Sequence, residues 1–178
     1  MKARTYLRSV TREAHDRVDS KLSAFDLSNA DGYANFLASQ AAAFLAVEAA
    51  LDQAGAAALL PDWQERRRSH ALISDLVKLG RDVPAAALAP IYDDEASIWG
   101  GLYVIEGSRL GGAVLRKSVP TGFPQAFLGS GAKGAWPALV AELERNLDDD
   151  VVLRRAGSSA IDTFACFESS YGKGVSSQ

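Results

Sequence analysis

Five glycines interrupt one apolar stretch, Trp99-Gly100-Gly101-Leu102-Tyr103-Val104-Ile105-Glu106-Gly107-Ser108-Arg109-Leu110-Gly111-Gly112, that otherwise reads as a helix. Each glycine inside a helix costs ~1 kcal/mol against alanine. Gly107, Gly111 and Gly112 together therefore cost roughly 3 kcal/mol, against a usual folding stability of ~5–15 kcal/mol. A chain that carries this penalty must need the missing side chains. Gly100, Gly107 and Gly111, seven and four residues apart, fall on one helix face and leave its backbone bare. Either a second helix packs closely on that face, or a flat ligand lies on it, or a local kink opens a cavity there. A phosphate-binding loop does not fit, because neither glycine-rich nucleotide pattern matches and no strand leads in.

Helical periodicity extends over nearly the whole chain. Leu7, Thr11, Ala14, Val18 and Leu22 recur at spacings of four and three, the stripe of an amphipathic helix. Ser28-Asn29-Ala30-Asp31 offers caps for a long alanine-rich helix over residues 33–57. Pro61-Asp62 opens a further helix carrying Trp63, Leu72, Leu76 and Leu79 and stopping at Gly80. Residues 83–90 form an irregular link, and Asp93-Asp94-Glu95 places negative charge at the start of the glycine-bearing helix. Pro120 to Gly134 reads as a loop. Residues 136–147 and 151–171 supply two closing helices, and 172–178 a frayed tail. With no period-two strand and no internal repeat, the expectation is an all-α, single domain over 1–178 with roughly six to eight helices.

Composition narrows the function. At 178 residues the chain can bury a core of its own. A net charge of -3 argues against binding nucleic acid through general positive charge. The most apolar region, 36–61, is broken by Gln40, Glu48, Asp52 and Gln53, so it reads as a buried helix rather than a membrane span. A single cysteine, Cys166, excludes an intrachain disulfide, and no signal-peptide pattern occurs, so a cytoplasmic setting is expected. Near Phe164 and Phe167, Cys166 reads as packing.

Only two histidines are present. His70 follows Arg66-Arg67-Arg68-Ser69 on a face that reads as solvated. His15 lies beside the apolar stripe of the first helix, with Arg8 two turns before it and Asp19 one turn after. One reading is a partly buried histidine paired with Asp19. The other is an axial metal ligand whose second N–H is held by that carboxylate. Two histidines and one cysteine are too few for a zinc site, so a lone histidine ligand points to heme, which brings its own equatorial nitrogens.

Leu7-Arg8-Ser9-Val10-Thr11-Arg12-Glu13-Ala14-His15 and Leu102 to Gly112, taken together and in this order, resemble the proximal and distal helices of the bacterial, biliverdin-producing heme oxygenases. The long middle helix, the segment Ser74-Asp75-Leu76-Val77-Lys78-Leu79-Gly80 and the Phe-rich closing helix are also similar, so the likeness covers nearly the whole chain. It implies a multi-helical heme-oxygenase-like fold with heme b, both substrate and cofactor, between the first helix and the glycine-rich distal helix. His15 would be the iron ligand and Asp19 its carboxylate partner. Gly107, Ser108, Gly111 and Gly112 would line the side where O2 binds. Arg8 matches the family's basic residue for a heme propionate, with Tyr103 as a helping hydroxyl.

The implied reaction is O2-dependent opening of the ring to biliverdin, CO and ferrous iron. No nicotinamide or flavin motif occurs, so electrons would come from a ferredoxin or flavoprotein reductase, for which Arg4, Arg8 and Arg12 form a candidate docking patch. No nucleic-acid or membrane partner is expected. Two departures stand out. Ser108 occupies the place of an acid in mammalian members, although serine is usual in bacterial ones. Around Trp136 and Pro137 there is no basic residue for a second propionate, leaving Lys133 or Arg145 as substitutes. Two other functions remain open on the residues alone: a heme-binding or transfer protein without turnover, and a helical interaction module whose glycines are a packing seam.

Overall fold

The computed structural model describes residues 2–129, 131 and 133–171. Among these there is no strand. The elements, in order, are α1 (Ala3–Leu22), α2 (Ala30–Ala54), α3 (Ala56–Leu59), α4 (Trp63–Arg66), α5 (Ser69–Lys78), α6 (Glu95–Leu115), a 3-10 turn (Arg116–Ser118), α7 (Ala126–Gly129), α8 (Ala135–Asn146) and α9 (Asp150–Ser170). Six of these have ten residues or more, and α3, α4 and α7 are single turns. The expected tail, 172–178, lies outside the described residues.

Local chemistry sets most of the boundaries. In α1 the buried positions are Ala3, Leu7, Thr11, Ala14 and Val18, the stripe that the spacing predicts, with Leu22 packed only partly against the core. The Asn29 side chain accepts from the backbone N–H of Gly32 at 2.8 Å and starts α2. Gly55, at φ +94°, ends it, three residues before the alanine pattern runs out, because only glycine adopts that left-handed turn without strain. Asp94 and Ser97 form a reciprocal capping box at the head of α6. By length and composition α2 could cross a membrane, but 72% of its most apolar window is buried inside the fold, as suits a core helix.

The single helix expected over 61–80 is instead two, α4 and α5, separated at Arg67-Arg68. The cause lies far away in sequence. The carboxylate of Glu48, fully buried on α2, accepts from the backbone N–H of Arg68 at 2.7 Å and of Ser69 at 3.0 Å. These are the free donors of a helix start, so α5 begins anew there. Asp75 does the same for α7, accepting from the N–H groups of Ala126 at 3.1 Å and Phe127 at 2.9 Å. A helical turn thereby forms inside the expected 120–134 loop.

One hydrophobic cluster runs from Ala3 to Phe167. α9 packs against α1, α2 and α6. The approach of α9 to α6 is close: a Cβ on Gly100 would lie 2.3 Å from the carbonyl oxygen of Ala156. Toward its C-terminal end α6 has no such neighbour, and its last buried residue is Glu106.

Candidate active site

Between α1 and the C-terminal half of α6 lies a cavity of about 880 Å³, within the ~300–1,000 Å³ usual for small-ligand pockets. Its floor is the α1 face bearing Arg4, Arg8, Thr11, Arg12, His15, Asp16 and Asp19. Its roof carries Tyr103, Gly107, Ser108, Leu110, Gly111, Gly112 and Val114 of α6. Phe36 and Gln40 of α2, Phe127 and Leu128 of α7, Trp136 of α8, and Phe164 and Phe167 of α9 close the remaining sides. All eight residues singled out in the sequence (Arg8, His15, Asp19, Tyr103, Gly107, Ser108, Gly111 and Gly112) line this one space. Lys133 and Arg145 do not; Arg145 pairs with Glu142 on the surface of α8.

The glycines separate by purpose. Gly100 belongs to the seam with α9, and a Cβ on Gly101 would meet the Tyr92 ring at 2.7 Å. The single bare face expected for Gly100, Gly107 and Gly111 is therefore covered by α9 at its start. At Gly107 and Gly112 a Cβ would make only ordinary contacts of 3.5 Å with Trp136 and Leu128, and at Gly111 it would meet nothing within 4 Å. Packing within the protein thus asks for none of these three, and their combined helix penalty of roughly 3 kcal/mol is left for a ligand to explain.

On the floor, Nδ1 of His15 lies 3.3 Å from a carboxylate oxygen of Asp19 and 3.8 Å from one of Asp16. Both carboxylates approach the same ring nitrogen, and Nε2 has no hydrogen bond among the described residues. The imidazole is 56% exposed, more open than the partly buried pair the sequence also allowed. Its ring stands edge-on to Phe164 at 5.8 Å. Phe164 and Phe167, the neighbours of the buried Cys166, are at once core and cavity wall.

At the mouth, the cations of Arg4, Arg8 and Arg12 form no ion pair among the described residues. Tyr103, half-buried with its ring 5.9 Å from Trp136, has its phenol pushed up by burial, with the Thr11 hydroxyl, Arg4 and Arg8 pulling the other way. Ser108 donates to the carbonyl of Ile105 at 2.6 Å and accepts from Nη2 of Arg68.

That last contact was not legible in the sequence. Arg66 and Arg68, in a run that reads as solvated, are 6% and 2% exposed. The Arg68 guanidinium also bonds the Ile105 carbonyl at 2.6 Å and sits over the rings of Phe44 and Phe127 at 4.6 and 5.0 Å. Burial, aided by the neighbouring charge of Arg109, lowers its pKa to about 9, against the pull of Glu106 and Glu48. The signal that could have found it is acidic: Glu48 and Glu106 stand inside apolar runs, and buried carboxylates require cationic or N–H partners. His70 is exposed, as expected.

Fold and cavity define a class: an all-helical protein with a ligand-sized cavity between a histidine-bearing helix and a glycine-bearing one. Comparison with known proteins narrows it. A protein called heme oxygenase from Xanthomonas campestris pv. campestris (strain 8004) is 42% identical over 113 residues, spanning 59% of this chain and 67% of that one. The chain belongs to the heme oxygenase family of enzymes. Its fold is shared with the NO- and CO-bound heme oxygenase from Neisseria meningitidis, at a TM-score of 0.73 and 22% identity over 97% of this chain and 93% of that one. The heme oxygenase from Leptospira interrogans gives the same TM-score at 18% identity, over 96% and 98%. No family model matches the chain.

Proposed function

We propose that this chain binds heme b in the α1–α6 cavity and opens its ring with O2 and externally supplied electrons, giving biliverdin, CO and ferrous iron. The observation that carries this reading is that a histidine whose Nε2 has no hydrogen bond among the described residues and three glycines unexplained by packing face one another across one cavity. The donor set fits the group: an imidazole for iron, aromatic and aliphatic walls for a disc, and unpaired guanidiniums at the mouth for carboxylates.

Heme, when bound, supplies the redox chemistry; the protein supplies position and polarity. Asp19, 3.3 Å from Nδ1 of His15, would draw the N–H to that nitrogen and so favour the tautomer whose Nε2 could take iron. Arg8, whose guanidinium suits a carboxylate, would hold a propionate, with Tyr103 lining the same cavity. Gly107, Gly111 and Gly112 leave space for dioxygen and ordered water under the roof. Ser108 has spent its proton on Ile105 and one lone pair on Arg68, so toward the cavity it can only accept a hydrogen bond.

Arg4, Arg8 and Arg12 at the mouth suit the acidic face of a ferredoxin or flavoprotein reductase. A single-domain chain in the cytoplasm completes the proposal, supported by the continuous core and by a single cysteine, which allows no intrachain disulfide. Titration with hemin tests it: a Soret band should develop, and reductant with air should convert it to a ring-opened product identified by chromatography. His15→Ala should bind hemin more weakly and lose turnover by at least about a hundredfold. If that variant binds and converts hemin as the wild type does, the reading is wrong.

A further inference from the structure

Beyond Glu106 nothing in α6 is fully buried, and three of the next six residues are glycines with no side chain to pack. Yet this half of the helix forms the cavity roof, and a roof of bare backbone can serve only if its height is fixed. The grip at its near end is ionic. Glu106 is fully buried, and each of its carboxylate oxygens takes one guanidinium. Oε2 accepts from Nη1 of Arg66 at 2.9 Å, and Oε1 from Nε of Arg109 at 3.1 Å. Arg66 continues to Asp62 at 2.8 Å and to the carbonyl of Ala135 at 3.2 Å, and Arg109 returns to the carbonyl of Arg66.

Three separate elements therefore meet at one carboxylate: α6 through Glu106 and Arg109, α4 through Arg66, and the first residue of α8. The next residue of α8, Trp136, stands against Gly107 and lines the cavity. We propose that Glu106 is a positioning residue: gripped by Arg66 and Arg109, it works with the Arg68–Ser108 contact and the partly buried Leu115 to hold the glycine-bearing half of α6, and with it the cavity roof, at a fixed height above α1. Burying such a triad is poor value as a source of stability, because apolar residues of similar volume do as well or better. Its retention is explained if it sets position. The proposal deepens the reading of this cavity as a heme site, but its first test does not depend on that reading.

In Glu106→Gln one of the two oxygens that Arg66 and Arg109 grip becomes an NH2, so one guanidinium faces a donor and the countercharge is lost. Backbone amides of residues 107–115 in the ligand-free protein should then exchange hydrogen about tenfold faster or more, while those of α1 and α9 keep wild-type rates. The hemin complex of the variant should show a mixed-spin absorption spectrum where the wild type shows one form. Exchange and spectrum both unchanged would overturn the proposal. Should Glu106→Gln not fold, the combined variant Arg66→Met, Glu106→Leu and Arg109→Met decides, because an apolar triad can pack without buried charge. Faster exchange confined to 107–115 in that folded variant supports the proposal; wild-type exchange, or failure of both variants to fold, ends it. Wild-type protein that takes up no hemin would sink the heme reading and leave the exchange result standing.

Discussion

At the head of α6 a methyl group on Gly100 would sit 2.3 Å from the Ala156 carbonyl oxygen and 3.0 Å from the Ala160 nitrogen, both rigid backbone of α9. Three turns further on, a methyl on Gly111 would touch nothing within 4 Å. The same residue type, on one helix and at helical spacing, thus answers two different demands. Near the start glycine lets two helices close on each other. Near the end it keeps open a space that the protein itself leaves unfilled. The difference arises because α9 crosses the first half of α6 and leaves the second half to α1, across the cavity. A stripe of small residues in a sequence therefore says that side chains are excluded, and only the neighbouring helix says by what.

The sharpest way to break this contrast is to add side chains at both ends. Gly100→Ala should lower stability by ~3 kcal/mol, a fall in Tm of roughly 6–12 °C, because the atoms in the way are backbone and cannot turn aside. A thermal melt within a degree or two of wild type would mean that the seam is looser than it looks. Gly111→Leu should leave the melt of the free protein unchanged or slightly raised, since leucine is the better helix former and its Cβ would meet nothing within 4 Å. Its effect should fall on the ligand: hemin affinity, read from absorbance titration, should drop about tenfold, or ~1.4 kcal/mol. Unaltered affinity would remove Gly111 from the roof.

How far the sequence reveals this arrangement depends on how local each cause is. The stripe of α1, the Asn29 and Asp93–Glu95 helix starts and the glycine helix are set by neighbours within a few residues, and the structure has them where the pattern puts them. The division of α4 from α5 is set by Glu48, twenty residues away, and the turn α7 by Asp75, some fifty residues away. No spacing rule reaches that far. The arginine run is the clearest failure. Three adjacent cations read as solvated until two buried acids on other helices are matched to them. Cavity membership was easier to read than burial. His15 and Asp19 are one turn apart on a helix and must share a face, whereas Arg68 reaches Ser108 only through tertiary packing.

The smallest expected effect is the most discriminating. At Gly107 an added Cβ would lie 3.5 Å from the Trp136 ring, an ordinary contact that requires no movement. Gly107→Ala should therefore raise the stability of the free protein by about 0.5–1 kcal/mol, the usual difference between the two residues inside a helix. The same methyl projects under the roof, where the ligand lies if the cavity holds one. With hemin bound the variant should then show a smaller rise in Tm than it shows without, because part of the helix gain is spent against the disc. The informative quantity is the difference between the two shifts, since any general effect on folding cancels from it. Equal shifts in free and hemin-loaded protein would place Gly107 with Gly100, as one more residue shaped by its protein neighbours rather than by what the cavity receives.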